Sequence, residues 1–251
     1  MRRHYIGVIN ILKFYLMSKL GWEVIIENMF LGSRKFYCKN GTEFFRTADY
    51  GSEEQFLGGF MSFLKNNDVV WDIGSSIGIV SIYSAPLVDK VIAFEPDDEI
   101  FERLNKNVKL NGIECKVESF NIGISDENKR VDIYSDGVDS FSPSLMNLGK
   151  HINRKEIQVK TIDTLIKEGL TAPTVMKIDI EGAEILALRG GKDLLSSSKA
   201  PYLIFLEVHP SFLESFNSST FEVLSTIKDY GYTIISETIR GGQIHVIAVK
   251  I

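Results

Sequence analysis

Several features that would assign a chain to a specialised class of protein are absent or scarce in this sequence. Its 251 residues include two cysteines, Cys38 and Cys115, which form no metal-ligand spacing, so we expect free thiols in a reducing compartment. No block of lysine and arginine occurs and the formal net charge is −5, which argues against a nucleic-acid partner. Internal repeats and low-complexity segments are also absent. The remaining composition is that of an ordinary globular protein.

The sequence also lacks an apolar run long enough to cross a bilayer. Residues 1–22 begin with basic residues and continue into an apolar stretch, as a secretory signal does, but Lys13 interrupts that stretch and no small-x-small cleavage site follows. We expect an amphipathic helix here that packs as a lid or in the core, with a homodimer contact or a membrane-surface role as alternatives. The predicted location is cytoplasmic, without stable membrane insertion.

The pattern divides the chain into an N-terminal appendage, residues 1–65, and a main domain, residues 66–251. In the appendage, Asn40-Gly41 lies between two β-prone runs and predicts a type I′ hairpin over residues 36–45. Aromatic residues at helical spacing predict a helix over residues 53–64. The appendage is expected on the lid or substrate side of the main domain.

From Asp68 onward, apolar strand-like runs alternate with helical patterns. The predicted strands are 69–73, 91–95, 117–124, 130–134, 157–161, 175–180 and 202–208; the predicted helices are 77–85, 97–111, 163–167, 183–195 and 220–230. A final hairpin pairs 232–236 with 245–250. This alternation predicts an α/β fold with a doubly wound, Rossmann-like sheet, mostly parallel, with one antiparallel strand from the C-terminal hairpin. The weakly patterned loop 137–154, with Ser140, Ser142 and Ser144, is expected to be functional or mobile.

The glycine-rich turn after the first strand of this unit predicts a nucleoside cofactor. The turn reads Gly74-Ser75-Ser76-Ile77-Gly78, with Ser76 where a dinucleotide-binding turn has its second glycine. Asp72 would repel a pyrophosphate but suits a cofactor with an ammonium group. Glu95, at the end of the next strand, can accept hydrogen bonds from ribose hydroxyls of either cofactor. These residues favour S-adenosyl-L-methionine, and an NAD-dependent oxidoreductase on the same sheet stays open.

The remaining cofactor candidates surround this turn. Gly74 and Gly78 shape it, and Pro96 follows the acid at the end of the second strand. Ser125 and Asp126 follow the third strand, where an adenine ring usually lies in such folds, although Asp126 could equally form a turn.

Catalytic candidates lie at the ends of two later strands. Asp179 closes the strand VMKID and is the leading general base for a hydroxyl acceptor, with Glu181 next to it. His209 ends the strand EVHP on the same side as Glu207 and could act as the base or be a satisfied structural histidine. Glu184 is interpreted as a helix-surface or salt-bridge residue. We assign no metal, and the alternative that Asp179, Glu181, Glu207 and His209 hold a divalent ion stays open.

These segments together resemble the FkbM family of S-adenosylmethionine-dependent methyltransferases. The matching segments are DIGSSIG, AFEP, FNIGISDENKRVDIY, VKTIDTL, MKIDIEGAEILALRGG and FLEVHP, in order, from Asp68 to Pro210. The resemblance implies a class I methyltransferase fold and transfer of methyl to a hydroxyl, often on a sugar or a polyketide-type product. The family turn commonly reads D-x-G-A-N-x-G, and Ser75-Ser76 replace its Ala-Asn here.

The function expected from the sequence is therefore O-methylation of a hydroxyl on a sugar, glycan or secondary metabolite. The partner is a small-molecule or glycan acceptor, with no nucleic acid and a homodimer as a possibility left open. A non-catalytic module that only binds the cofactor is the remaining alternative.

Overall fold

The computed structural model describes residues 21–28, 31–49, 54–135 and 153–250. The expected N-terminal amphipathic helix lies outside these residues, as does most of the loop 137–154 with its three serines. In chain order the elements are β1 (Trp22–Asn28), β2 (Gly32–Cys38), α1 (Gly41–Asp49), α2 (Glu54–Phe63), β3 (Val69–Ile73), α3 (Ile79–Ser84), β4 (Lys90–Phe94), α4 (Asp98–Leu110), β5 (Val117–Phe120), β6 (Gly123–Ile124), β7 (Lys129–Ser135), β8 (Asn153–Lys160), α5 (Ile162–Lys167), β9 (Val175–Ile178), α6 (Glu184–Gly190), α7 (Lys192–Leu195), β10 (Leu203–Val208), α8 (Pro210–Leu213), α9 (Thr220–Asp229), β11 (Thr233–Arg240) and β12 (Gln243–Val249).

A seven-stranded sheet in the order β11-β12-β10-β9-β3-β4-β5 forms the centre of the molecule. β3, β4, β5, β9 and β10 pair in parallel, whereas β12 is antiparallel to both of its neighbours. This confirms the predicted mostly parallel sheet with one antiparallel strand from the C-terminal hairpin. β3 lies between β4 and β9, so the strand order reverses direction at β3, and the carboxyl ends of these strands meet at one edge.

A separate three-stranded sheet, in the order β6-β8-β7, stands beside the central one. The sequence predicted a single strand over 117–124, but that strand ends at Phe120, and Gly123–Ile124 pairs with β8 instead. Asn121 lies at the break, where its side-chain amide donates to the carbonyls of Glu95 and Pro96. The predicted edge strand at 130–134 is an edge strand, but it belongs to this small sheet.

The predicted hairpin at residues 36–45 is wrong. β2 pairs with β1, and the chain enters α1 directly after Asn40. The Asn40 side chain accepts from the amide of Glu43, and the Glu43 carboxylate accepts from the amide of Lys39. Asn40-Gly41-Thr42-Glu43 is therefore a helix-start signal close to a capping box, and it outweighs the turn preference of Asn-Gly.

The described part of the appendage shares a core with one face of the central sheet. Trp22, Phe36 and Phe60 are buried in the same cluster as Val70 and Phe205. The Phe60 ring meets the Phe205 ring edge-on with centroids 4.6 Å apart. Burying each large side chain of this kind is worth about 1.5–3 kcal/mol, so the appendage is tied firmly to the sheet.

The helices on the sheet begin where the sequence supplies a cap. The Asp97 side chain accepts from the amides of Glu99 and Ile100 at the start of α4, and Ser219 accepts from the Glu222 amide at the start of α9.

Among the described residues, we find no helix with the length and apolarity needed to cross a membrane.

Candidate active site

A cavity of about 810 Å³ opens at the carboxyl edge of the central sheet. Its walls come from the strand ends, the small sheet, α1 and α2, and the turn between β11 and β12. The lining residues include Phe45, Arg46, Leu57, Gly74, Ser75, Ser76, Glu95, Pro96, Ile122, Gly123, Ile124, Lys177, Asp179, Glu181, Glu207, His209, Gly241, Gly242 and Gln243. The size is that of a pocket for a drug-sized ligand, and its position is where open α/β sheets bind ligands.

The glycine turn after β3 forms one wall of this cavity. A Cβ on Gly74 would lie 1.9 Å from the carbonyl oxygen of Asp179, and its φ is 77°, so only glycine fits. The amides of Gly74 and Ser75 both donate to the Phe94 carbonyl, which ties the turn to the end of β4. The Ser75 hydroxyl is buried in the cavity wall and makes no hydrogen bond to the described residues. It is a polar group available to a ligand.

Glu95 is held in a fixed orientation at the end of β4. Its carboxylate oxygens accept from the backbone amides of Ser76 and Asp97, each at 2.9 Å. Burial disfavours the charged form and raises the pKa of Glu95 to about 7, although the hydrogen bonds from these amides act in the opposite direction. The carboxylate lines the cavity with lone pairs still available, as a ribose diol requires.

An apolar wall lies next to Glu95. It is built from the start of the small sheet and from its inward-facing side chains, namely Ile122, Gly123, Ile124, Ile133, Ile157 and Val159. A flat, uncharged ring fits against such a surface. The sequence placed the adenine neighbours slightly further along the chain, at Ser125 and Asp126.

Lys177 is a buried cation beneath the turn that sequence analysis did not select. Its Nζ donates to the Gly74 carbonyl at 2.9 Å and lies 3.1 Å from Asp179 Oδ2 and 3.6 Å from Asp72 Oδ1. Burial alone would lower the pKa of Lys177, but the Asp179 and Asp72 carboxylates outweigh it and raise the pKa. A lysine inside an otherwise apolar strand is itself an informative pattern, because lysine is almost never buried without a partner.

Asp179 follows β9 and faces the cavity. Burial alone would raise its pKa, but the charges of Lys177 and His209 lower it overall. Its side chain is 29% exposed, in contrast to the 2% exposure of the His209 side chain. Asp179 is therefore the more accessible of the two predicted bases.

His209 follows β10 and lies among four carboxylates. Its Nδ1 bonds to Glu184 Oε1 at 2.8 Å, and its Nε2 lies 3.8 Å from Asp179, 3.5 Å from Glu181 and 3.6 Å from Glu207. Burial alone would lower the pKa of His209, but the Glu184 hydrogen bond and the Asp179 and Glu181 charges raise it to about 9.

Glu184 is fully buried at the start of α6, so the surface alternative is wrong and the salt-bridge alternative is confirmed. Besides His209, its Oε1 accepts from the Gly182 amide at 2.8 Å. Because Glu184 bonds to Nδ1, it orients the His209 imidazole. The helical spacing of the sequence could not predict this contact.

The segment between Asp179 and α6 has unusual backbone geometry. Glu181 has a φ of 53° and Gly182 a φ of 99°, so two successive residues are left-handed. A Cβ on Gly182 would lie 2.4 Å from the Phe212 Cβ. This conformation turns the Glu181 side chain back into the cavity, beside His209.

The structure brings most predicted site residues together, but not all of them. Those that line the cavity are Gly74, Ser76, Glu95, Pro96, Asp179, Glu181 and His209. Four others do not line it: Asp72, Gly78, Ser125 and Asp126.

The four have other surroundings in the described structure. Asp72 is fully buried, with Ser81 donating to it at 2.6 Å. Gly78 starts α3, where a Cβ would lie 2.5 Å from Leu104. The backbones of Ser125 and Asp126 pack against α6, where a Cβ on Gly190 would lie 2.0 Å from the Ser125 carbonyl oxygen and 3.1 Å from the Asp126 Cα.

This sheet order, with a ligand cavity at the glycine turn and an acid at the next strand end, is the arrangement of a class I methyltransferase. Residues 72–234 match the family model for the methyltransferase FkbM domain, which covers more than half of the chain. The chain therefore belongs to the FkbM methyltransferase family, is a methyltransferase, and uses S-adenosyl-L-methionine. This decides against the oxidoreductase alternative.

Two curated relatives and one solved structure illustrate the similarity. The hexuronic acid methyltransferase AglP of Haloferax volcanii is 29% identical, covering 70% of each chain. The 31-O-demethyl-FK506 methyltransferase FkbM of Streptomyces tacrolimicus is 24% identical, covering 74% of this chain and 82% of its own. The crystal structure of precorrin-6y C5,15-methyltransferase from Geobacter metallireducens aligns with a TM-score of 0.49 and 14% identity, covering 78% of this chain and 87% of that one.

Proposed function

We propose that the protein methylates a hydroxyl group of a sugar, a glycan or a hydroxylated secondary metabolite. The observation that carries the proposal is the polar cluster of Asp179, Glu181 and His209 in the same cavity as Gly74 and Glu95. A hydroxyl acceptor needs a proton acceptor beside it, and this cluster supplies carboxylates at the strand ends adjacent to the cofactor turn.

The cofactor side of the cavity fits S-adenosylmethionine by its chemistry. The Glu95 carboxylate suits the ribose hydroxyls, the wall around Ile122 and Ile124 suits the adenine, and the unbonded Ser75 hydroxyl suits the amino-acid portion. When bound, S-adenosylmethionine supplies an activated methyl group that passes to the acceptor oxygen as the carbon–sulfur bond breaks and the sulfur keeps the electron pair.

The chain's own residues orient the acceptor and take its proton. Asp179 is the proposed proton acceptor, because its carboxylate faces the cavity and Lys177 holds one of its oxygens in place at 3.1 Å. Glu181 and His209 complete the polar surface on which an acceptor hydroxyl can be aligned. Phe45 and Leu57 from the appendage contribute apolar side chains to the lining of the same cavity.

The acceptor class draws support from the relatives. AglP is named as a hexuronic acid methyltransferase and FkbM of Streptomyces tacrolimicus as a 31-O-demethyl-FK506 methyltransferase, so the first name gives a sugar acid and the second an oxygen position. A cavity with one apolar wall and one charged end accommodates either type. We propose a small-molecule or glycan acceptor with free hydroxyl groups.

The test is a screen for methyl transfer combined with cofactor binding. Calorimetric titration with S-adenosylmethionine comes first; labelled methyl donor is then offered with hexuronic acids, their glycosides and hydroxylated macrolides. On an accepted substrate, Asp179→Asn is expected to reduce kcat by about 10²–10⁴-fold. Asp229→Asn, at an exposed position on α9, is the matched control and keeps full activity.

Two results would refute the proposal. Methylation only at nitrogen or carbon acceptors would exclude the hydroxyl class. Cofactor binding without turnover on any acceptor in the screen would favour the non-catalytic module.

Four further predictions about the protein belong with this proposal. They are a boundary between appendage and main domain at residues 65–66, a cytoplasmic location, a homodimer as one of the oligomeric states left open, and independence from nucleic acid. Size-exclusion chromatography with light scattering tests the dimer, and methyl transfer in the presence of nuclease tests the last.

A further inference from the structure

We propose that Asp179, Glu181 and His209 bind a divalent metal ion at the acceptor end of the cavity. One ligand atom from each residue lies within 4.8 Å of the others, and all three residues line the same wall. The ion binding itself is independent of the proposed function, and only its role in holding an acceptor hydroxyl rests on that function.

The first step of the argument is the state of the His209 side chain. The residue is 2% exposed, and its Nε2 makes no hydrogen bond although it points into a group of carboxylates. A buried polar nitrogen without a hydrogen bond destabilises the folded protein, because burial has removed its hydrogen bonds to water. A metal ion that displaces the Nε2 proton and binds the lone pair would give this nitrogen a partner.

The second step is the orientation of the imidazole. Glu184 Oε1 lies 2.8 Å from Nδ1, so Nδ1–H donates to Glu184, and a metal ion that displaces the Nε2 proton would bind the lone pair of Nε2. A carboxylate that fixes the far nitrogen of a histidine is the usual outer partner of a metal-binding histidine. Glu184 is itself held by the Gly182 amide, so this orientation is fixed before any ion arrives.

The third step is distance. Nε2 lies 3.5 Å from Glu181 Oε2 and 3.8 Å from Asp179 Oδ1, which is too far for hydrogen bonds. Metal–ligand bonds of about 2.1 Å place two ligand atoms about 3–4 Å apart, so an ion between these atoms needs little rearrangement.

The fourth step is charge. Glu207 Oε1 is a further carboxylate oxygen 3.6 Å from Nε2, and Glu184 lies on the other side of the ring. Lys177 offsets part of this negative charge through Asp179. Two carboxylates with one imidazole suit Mn²⁺ or Mg²⁺ among the common ions, and the cavity side of the cluster leaves room for acceptor oxygens.

The ion would hold an acceptor hydroxyl, lower its pKa, and so ease transfer of its proton to a neighbouring carboxylate. An acceptor with two adjacent oxygens, such as a vicinal diol or a hydroxy acid, could occupy two coordination positions. The site would thus favour substrates that chelate a metal over simple alcohols.

The test measures metal binding directly. Wild-type protein stripped with EDTA is titrated with Mn²⁺ up to about 1 mM, which reaches the weak end of oxygen-ligated divalent sites, and free Mn²⁺ is followed by electron paramagnetic resonance. We expect one saturable site per chain. Absence of binding in this range would overturn the proposal.

Variants then locate the ion. Asp179→Asn and Glu181→Gln should each weaken Mn²⁺ binding at least about tenfold, and Glu184→Gln by about 10–100-fold through the histidine. Glu127→Gln, an exposed carboxylate away from the cavity, should leave the affinity unchanged. Circular dichroism confirms that each variant is folded, and unchanged affinity in folded Asp179→Asn and Glu181→Gln would overturn the location.

The failures of the two proposals are distinguishable. Hydroxyl methylation that persists in EDTA, together with absent Mn²⁺ binding, would overturn the metal site and leave the proposed function intact. Saturable Mn²⁺ binding with no methylation of any hydroxylated acceptor would support the metal site and overturn the proposed function.

Discussion

The Glu184 carboxylate meets the His209 imidazole at 2.8 Å, and both side chains are buried. The bond connects the first residue of α6 to the residue that follows β10. It therefore holds the His209 imidazole in a fixed orientation at the cavity wall.

Glu184→Ala is expected to destabilise the protein by about 3 kcal/mol, because it leaves a buried histidine without its partner and removes the acceptor for the Gly182 amide. Urea unfolding of the two proteins measures the difference. Glu222→Ala, which breaks the exposed pair with Arg189, is the control and should cost no more than about 1 kcal/mol. Equal losses in the two variants would contradict the structural role of Glu184.

Gly74→Ala should destabilise the protein by about 2 kcal/mol more than Gly169→Ala. Both glycines have a positive φ, 77° and 95°, so both variants carry the same kind of backbone strain. Gly169 has open space where the Cβ would go, whereas at Gly74 the Cβ meets the Asp179 carbonyl and adds an overpacking cost. Thermal unfolding compares the pair, and a Gly74 variant no worse than the Gly169 variant would show that this contact relaxes freely.

Lys177→Met should cost about 3–5 kcal/mol, because it leaves the fully buried Asp72 carboxylate without its cation. Adding Asp72→Asn removes the uncompensated charge, so the double variant should recover part of the loss. A double-mutant cycle from urea unfolding measures this coupling. Strictly additive effects of the two substitutions would rule out the proposed ion pair.

Glu95 should make the stability of the cofactor-free protein depend on pH. Burial raises its pKa from 4.5 to about 7, so between these values the folded protein retains a proton that the unfolded chain has lost. The contribution of Glu95 is therefore fully present below pH 4.5 and is lost as the pH rises to about 7. The total loss is on the order of 3 kcal/mol.

Urea unfolding of wild type and Glu95→Gln at several pH values isolates this contribution, since other titrating groups are common to both. From pH 5.5 to pH 8, the wild type should lose about 2 kcal/mol relative to the variant. Parallel curves would mean that the pKa of Glu95 is not raised.

The parallel core of the fold was predictable because its strands are buried on both sides and read as apolar runs. Val69–Ile73 and Leu203–Val208 were found within a residue for this reason. Asn40-Gly41 misled the prediction because the same two residues serve a hairpin or a helix cap, and only the pairing of β1 with β2 decides between them. The break after Phe120 depends on the Asn121 side chain reaching another strand end, a contact distant in sequence.

The site was predictable to the extent that strand ends define it. Gly74, Glu95, Asp179 and His209 each follow a parallel strand, so their convergence follows from topology. Asp72 lies one position before the end of β3, and its side chain is fully buried, with Oδ1 3.6 Å from the Lys177 Nζ. Alternation along a strand gives such directions only when the neighbouring strands are known.

The turn Gly241-Gly242-Gln243 joins the antiparallel pair at the edge of the sheet and forms part of the cavity wall. During synthesis, residues 69–95, which carry the glycine turn and Glu95, leave the ribosome well before this turn is made. A growing chain can thus shape the nucleoside side of its pocket early, yet the enclosure is finished only once the late hairpin has docked beside β10. Competence to enclose a ligand is consequently gained only after β12 has been synthesised and has paired with β10.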